Sequence, residues 1–172
     1  MTEAARAPEL IRLLRDLRNV RSFKPEPIPN TVVADIIDVV RWSGSAGNQQ
    51  AWQVLFIEKR ETLEELAQLR GYARHLAGAA MGAVIVSFGP RDDINAFDEG
   101  RLSERMMLAA AAHGVGSSIG WFAGEGREAA RRLLGVPEGR VVRTSLSLGY
   151  PAEGALRGGR RKPAADLVQK LQ

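Results

Sequence analysis

At 172 residues, 45% apolar and 26% charged, the chain has the mix of a soluble globular protein and enough length for one sizeable core, so a single domain over 1–172 is expected. It contains no cysteine, which removes disulfides, thiolate metal sites, iron–sulfur clusters and cysteine nucleophiles, and two histidines, His75 and His113, are too few for a multi-histidine metal centre. The formal charge of +4 comes mostly from arginines interspersed with acids, so small phosphorylated ligands outrank nucleic acid as partners.

In chain order, Leu10, Leu13, Leu14 and Leu17 recur at helical spacing and predict an amphipathic helix that stops near Asn19. Lys24-Pro-Glu-Pro-Ile-Pro29 is extended, because three prolines remove amide donors and bias their predecessors away from helix. Asn30 or Thr31 caps a second helix that buries Val32, Val33, Ile36, Ile37 and Val40. After the break at 44–47, 52–58 reads as a buried strand, 61–69 as a short helix and 72–80 as a more apolar one. A strong strand signal covers 82–88, and 91–98 reads as a polar loop. The best helix spans 101–113, closed by Gly114, with His113 as a C-terminal cap. A glycine-rich strand over 115–122 follows, then a helix over 129–134. Val142, Thr144, Leu146 and Leu148 share one face of a strand over 141–148, and a terminal helix is expected over 163–171. No apolar run reaches the roughly 18 residues of a membrane span, and the N-terminal stretch lacks the pattern of a secretory signal, so the expectation is a cytoplasmic protein without membrane partners.

This order fits an α/β or α+β domain around a mixed sheet. The chain opens on helices, carries no G-x-G-x-x-G after a strand and no Walker loop, which argues against a Rossmann or P-loop nucleotide site.

Four segments carry the chemistry. Arg18 and Arg21 sit three residues apart where a helix ends, either as surface bases at its negative pole or as a bidentate phosphate clamp that Arg161 completes. The tight basic cluster Arg157-Gly-Gly-Arg160-Arg161-Lys162 is a solvated tail or a phosphate contact. Ser43 to Trp52 sets Asn48, Gln49 and Gln50 before an apolar strand, where carboxamides need partners, and a flavin edge offers matching donors and acceptors. Gly114 to Trp121 is either a strand slimmed for packing or backbone approaching a planar ligand. His75 reads as surface or satisfied core.

With these segments in order, the chain resembles the nitroreductase family of FMN-dependent oxidoreductases. Arg18-Asn-Val-Arg21-Ser-Phe23 is similar to that family's opening Arg-Arg-Ser-Val-Arg-x-Phe, and Ser43 to Trp52 to its Ala-Pro-Ser-Ala-x-Asn-x-Gln-Pro-Trp. Asp98 to Trp121, Leu134-Gly-Val-Pro137, Leu148-Gly-Tyr-Pro151 and Arg161-Lys-Pro163 resemble its later landmarks. The pattern departs at Asn19, where serine is usual, and at Gly44 and Ala51, which stand in place of prolines. The extension that often covers the site is reduced between Phe88 and Asp98.

The resemblance implies an α+β nitroreductase-like fold, a central mixed sheet flanked by helices, in an intertwined homodimer with FMN at the subunit interface. It implies that Arg18, Asn19, Arg21 and Arg161 hold the phosphate and ribityl chain from one subunit, while Gly44, Ser45, Asn48 and Gln50 reach the ring from the other. Backbone around Ile119, Gly120 and Trp121 lies along the ring edge. No catalytic side chain is implied, because the flavin carries the chemistry: NAD(P)H reduces it, and a nitroaromatic, quinone or similar small acceptor reoxidises it. Two alternatives stay open. One is the same fold with another flavin reaction, as in relatives resembling reductive dehalogenases, ene-reductases or flavin-destroying enzymes. The other is a non-catalytic FMN-binding or phosphate-binding regulator.

Overall fold

The computed structural model describes residues 3–156 and 158–171. In chain order they form helix α1 (Glu3–Asp16), helix α2 (Asn30–Arg41), strand β1 (Trp52–Ile57), helix α3 (Arg60–Gln68), the short strand β2 (Gly71–Tyr72) and strand β3 (Met81–Ser87). Helix α4 (Asp92–Ala112), strand β4 (Gly116–Phe122), helix α5 (Glu125–Leu133) and strand β5 (Val141–Gly149) follow. Arg157 of the basic cluster lies outside the described residues.

The strands make one five-stranded sheet in the order β1-β3-β5-β4-β2. Every ladder in it is antiparallel, where a mixed sheet was expected. The physical reason lies in α4. Its 21 residues, about 31 Å of helix, carry the chain back so that β4 starts in the same direction as β3. A helical crossover has therefore made parallel strands, but it leaves a gap one strand wide, and β5 fills that gap antiparallel to both neighbours. The isolated bridge between Asn19 and Ser117 is parallel and ties the segment after α1 to β4.

Helices cover both faces. On one, Ile36 and Val40 of α2 and Leu102, Met106 and Ala110 of α4 pack on Ala83, Ile85, Leu146 and Leu148. On the other, Leu63 and Leu66 of α3 and Ala130 of α5 pack on Val84, Val86, Phe122 and Val142. Residues of β3 alternate between these two cores, which is why the whole strand is buried and reads as an unbroken apolar run. Along β5 the alternation breaks. Val84 faces Ser145 and Val86 faces Val142, so β5 carries one extra residue between these pairs. This bulge turns Val142 to the opposite core from Leu146 and Leu148, against the expectation of a single face.

Four more expectations are corrected. Residues 72–80 are β2's last residue, which pairs with Trp121, and then a 3-10 helix, Arg74–Gly78. The expected loop at 91–98 is the start of α4. The C-terminal helix is reduced to a 3-10 turn, Ala164–Asp166, and no apolar surface among the described residues covers Leu167 or Val168. Helix α2 begins at Asn30 with Pro29 at the cap position and no side-chain cap, the Pro29 carbonyl accepting from the Val32 and Val33 amides.

Candidate functional site

The segment after α1 lies along β4 because β4 begins with a glycine, Gly116, where Val20 packs. A Cβ on Gly116 would fall 2.8 Å from Val20 Cβ, so only glycine lets the two backbones approach. Val20 then donates its N–H to the Ser117 carbonyl at 2.7 Å. The Asn19 side-chain oxygen accepts from the Ser118 hydroxyl at 3.2 Å and the Ile119 amide at 3.3 Å. This seam fixes where Arg18 and Arg21 emerge.

Arg18, Asn19, Arg21 and Arg161 line one cavity of about 510 Å³, together with Leu17, Ser22 and the 153–155 turn. The four residues that the resemblance assigns to the phosphate end are thus brought together, Arg161 from the far end of the chain. No carboxylate pairs with the three guanidinium groups among the described residues. Arg18 Nη1 donates to the carbonyls of Arg15 and Leu17, both at 2.8 Å, so Arg18 also closes α1. Glu153 on the rim is the one acid lining the cavity. Three fork-shaped donors around a polar hollow suit a terminal phosphate.

Arg21 also borders a second cavity, of about 540 Å³, with Gly71, Tyr72, Arg74 and His75. Its guanidinium lies 5.6 Å from the Tyr72 ring centroid, and Tyr72 stacks on Trp121 at 4.9 Å. Tyr72, Arg74 and His75 are site-lining residues that the sequence reading missed, because reading 72–80 as a helix hid the cross-strand pair of Tyr72 with Trp121.

The glycine of β4 nearest this cavity does not open toward a ligand. A Cβ on Gly120 would meet His75 Nε2 at 2.9 Å and Ser145 Oγ at 3.0 Å, so the strand is slim there to seat His75. His75 is buried; its Nδ1 lies 2.8 Å from Ser147 Oγ, and its Nε2 has no hydrogen-bond partner among the described residues. Burial, with the Arg21 charge adding to it, pushes its pKa down to about 4, so it is neutral at ordinary pH. Satisfied core describes one of its nitrogens and not the other.

Gly44, Ser45, Asn48 and Gln50 do not line either cavity. They lie on a loop held against α4. The Ala46 amide donates to the buried Asp98 carboxylate at 3.1 Å, and the Gln50 amide donates to Ser45 Oγ at 2.8 Å. Asn48 and Gln50 both take left-handed backbone, with φ of 54° and 49°, a conformation that costs a residue with a side chain of order 1 kcal/mol or more. The Gln50 carboxamide donates to Asn48 Oδ1 at 3.2 Å, so the two side chains are aimed as a unit. The two groups of residues that the resemblance assigns to the site therefore stand apart within one chain, the first around a cavity and the second on the loop against α4.

The comparisons with known proteins agree with this fold. The nitroreductase family model matches residues 14–87. A provisionally named NADH dehydrogenase/NAD(P)H nitroreductase of Archaeoglobus fulgidus is 30% identical over 152 residues, covering 84% of this chain and 87% of that protein. An NADPH-flavin oxidoreductase of Vibrio harveyi is 27% identical, covering 78% of this chain and 62% of that protein. Among solved structures, an FMN-dependent nitroreductase from Clostridium difficile R20291 superposes with a TM-score of 0.79 at 22% identity, covering 91% and 94% of the two chains. Nitroreductase A from Vibrio parahaemolyticus gives 0.84 at 22% identity, over 95% of this chain and 76% of that one.

Proposed function

The chain belongs to the nitroreductase family of oxidoreductases, and from that premise we propose that it binds FMN and uses NAD(P)H to reduce a small acceptor such as a nitroaromatic or quinone. The observation that supports this reading best is the convergence of Arg18, Asn19, Arg21 and Arg161 on one polar cavity, free of competing ion pairs among the described residues. When bound, FMN supplies the transfer of a hydride from the nicotinamide and of two electrons onward to the acceptor. The protein's residues bind and orient. The three guanidinium groups take the phosphate, and the seam of Asn19 on Ile119 sets the height of β4 beside them. Arg21 and Arg74 put positive charge beside the second cavity, where it favours electron-rich states of a bound ring.

The separation of the loop Gly44–Gln50 from both cavities supports a shared site, in which that loop serves the FMN held by a second copy. The flavin reading is tested by colour. Protein reconstituted with FMN should be yellow and should release FMN on denaturation, and NADH or NADPH should bleach it without oxygen. Protein that stays colourless with FMN defeats the reading. A flavin that binds but resists both nicotinamides leaves a binding regulator instead.

A further inference from the structure

Gly44 stands where the resembling motif has proline, and the space this opens is filled. A Cβ on residue 44 would lie 2.6 Å from Arg101 Nη1 and 3.5 Å from its Cζ, so a proline ring there would evict the guanidinium. Arg101 is thereby laid against the backbone of the loop that carries Ser45, Asn48 and Gln50. One turn earlier on α4, Phe97 is 69% exposed, and the Arg101 Cζ lies 5.8 Å from its ring centroid. One turn later, Arg105 reaches the Trp42 carbonyl at 3.4 Å. Arg101, by contrast, has neither a carboxylate nor a carbonyl partner among the described residues. The Asp98 contact to the Ala46 amide, on the same stretch of α4, holds helix and loop as one surface.

We propose that Phe97 and Arg101 recognise the electron acceptor, and that the acceptor class is a planar aromatic anion, an aromatic carboxylate or sulfonate carrying the reducible group. The assignment rests on the FMN reading of the Ser45–Gln50 loop. A guanidinium fork pairs with a carboxylate through two parallel hydrogen bonds, while an exposed phenyl face takes an aromatic ring. Stacking on Phe97 holds the guanidinium before the ligand arrives, so less side-chain entropy is lost on binding. The other anion that visits such a site is the phosphate of the nicotinamide donor, and the test separates the two.

The experiment compares 4-nitrobenzoate with the neutral 4-nitrobenzamide on FMN-loaded protein. Wild type should prefer the anion in kcat/KM, and Arg101→Gln should reduce that preference roughly three- to tenfold. Arg101→Lys, which keeps the charge without the fork, should fall between, and Phe97→Ala should weaken both acceptors alike. Flavin content and the rate of anaerobic bleaching by NADH or NADPH should not change in Arg101→Gln. A readout without turnover is titration of 4-nitrobenzoate into the oxidised protein, followed by the flavin absorbance, in which Kd should rise by the same factor. An unchanged preference in Arg101→Gln overturns the assignment. So does slowed bleaching, which would give Arg101 to the nicotinamide, or lost flavin, which would give it to the cofactor. Wild-type protein that takes up no FMN defeats the functional reading itself, whereas a yellow protein indifferent to acceptor charge defeats only this inference.

Discussion

In the proposed FMN site single residues carry two roles, and the two can be separated by choice of ligand. Arg18→Ala and Arg21→Ala should each weaken FMN binding by about 1.5–3 kcal/mol per charge-assisted contact. Riboflavin, which lacks the phosphate, should barely respond. Titration calorimetry with both ligands decides; equal losses would make the arginines structural. Arg21→Ala is the cleaner variant, because Arg18 also holds the Arg15 carbonyl of α1 and the Leu17 carbonyl just after it. His75 gives a pH signature of its own. The unfolded chain takes a proton there near pH 6.5, and the folded chain refuses it until about pH 4. The stability that neutral His75 contributes is therefore complete above pH 6.5 and declines as the pH falls toward 4. The decline should be at most on the order of 2 kcal/mol. Denaturant titrations across that window should show it in wild type, and a shallower decline in His75→Asn. An identical decline in both would assign it to other groups.

At the scale of elements, α4 shows where sequence patterning works and where it fails. Its second half was legible because Leu102, Met106, Met107 and Ala110 make an apolar stripe. Its first half was not, because the residues it buries are Asn95, Asp98 and Glu99, and a polar stripe looks like a loop. That stripe is a network. Glu99, 2% exposed, accepts from the Ser87 and Thr144 hydroxyls and from both Arg143 Nε and Nη2, while Arg143 Nη1 reaches Asp92. The bulge of β5 places Arg143 and Thr144 beside each other on the same carboxylate, a register shift no periodicity announces. Arg143→Ala should cost about 3–5 kcal/mol, because it leaves a charge buried without its partner. Urea unfolding of the single variant and of Glu99→Gln/Arg143→Ala checks this, the double change recovering part of the loss. Arg18, Arg21 and Arg161 were readable as a candidate clamp because guanidinium chemistry is in their side chains, and they do line one cavity. Tyr72 and Arg74 were not, since their place at the second cavity depends on a two-residue strand.

For the whole molecule, the exposed apolar residues matter most. Leu10, Ile11 and Leu14 on α1, Ile37 on α2, and Leu167, Val168 and Leu171 in the C-terminal stretch are exposed. This much uncovered aliphatic surface, with the two candidate groups of site residues standing apart, supports the proposal of a two-fold dimer with two shared sites. A mixed dimer of an Arg18→Ala chain and an Asn48→Ala chain tests it. One site would carry both defects and the other neither, so about half the sites should bind FMN normally. Two equally weakened sites would mean that each chain builds its own site.

The strand at the centre of the sheet is also the last of its five strands to be synthesised. Until β5 is made, β1 with β3 and β2 with β4 are two separate hairpin-like ladders, with no backbone bond between them. The nascent chain thus waits with two open strand edges and a slot one strand wide, and closing it requires contacts distant in sequence, the slow kind. That slot does not distinguish its own β5 from a neighbour's. Crowded refolding should therefore produce chains locked together by exchanged β5 strands, and slow release at high dilution should return them to normal.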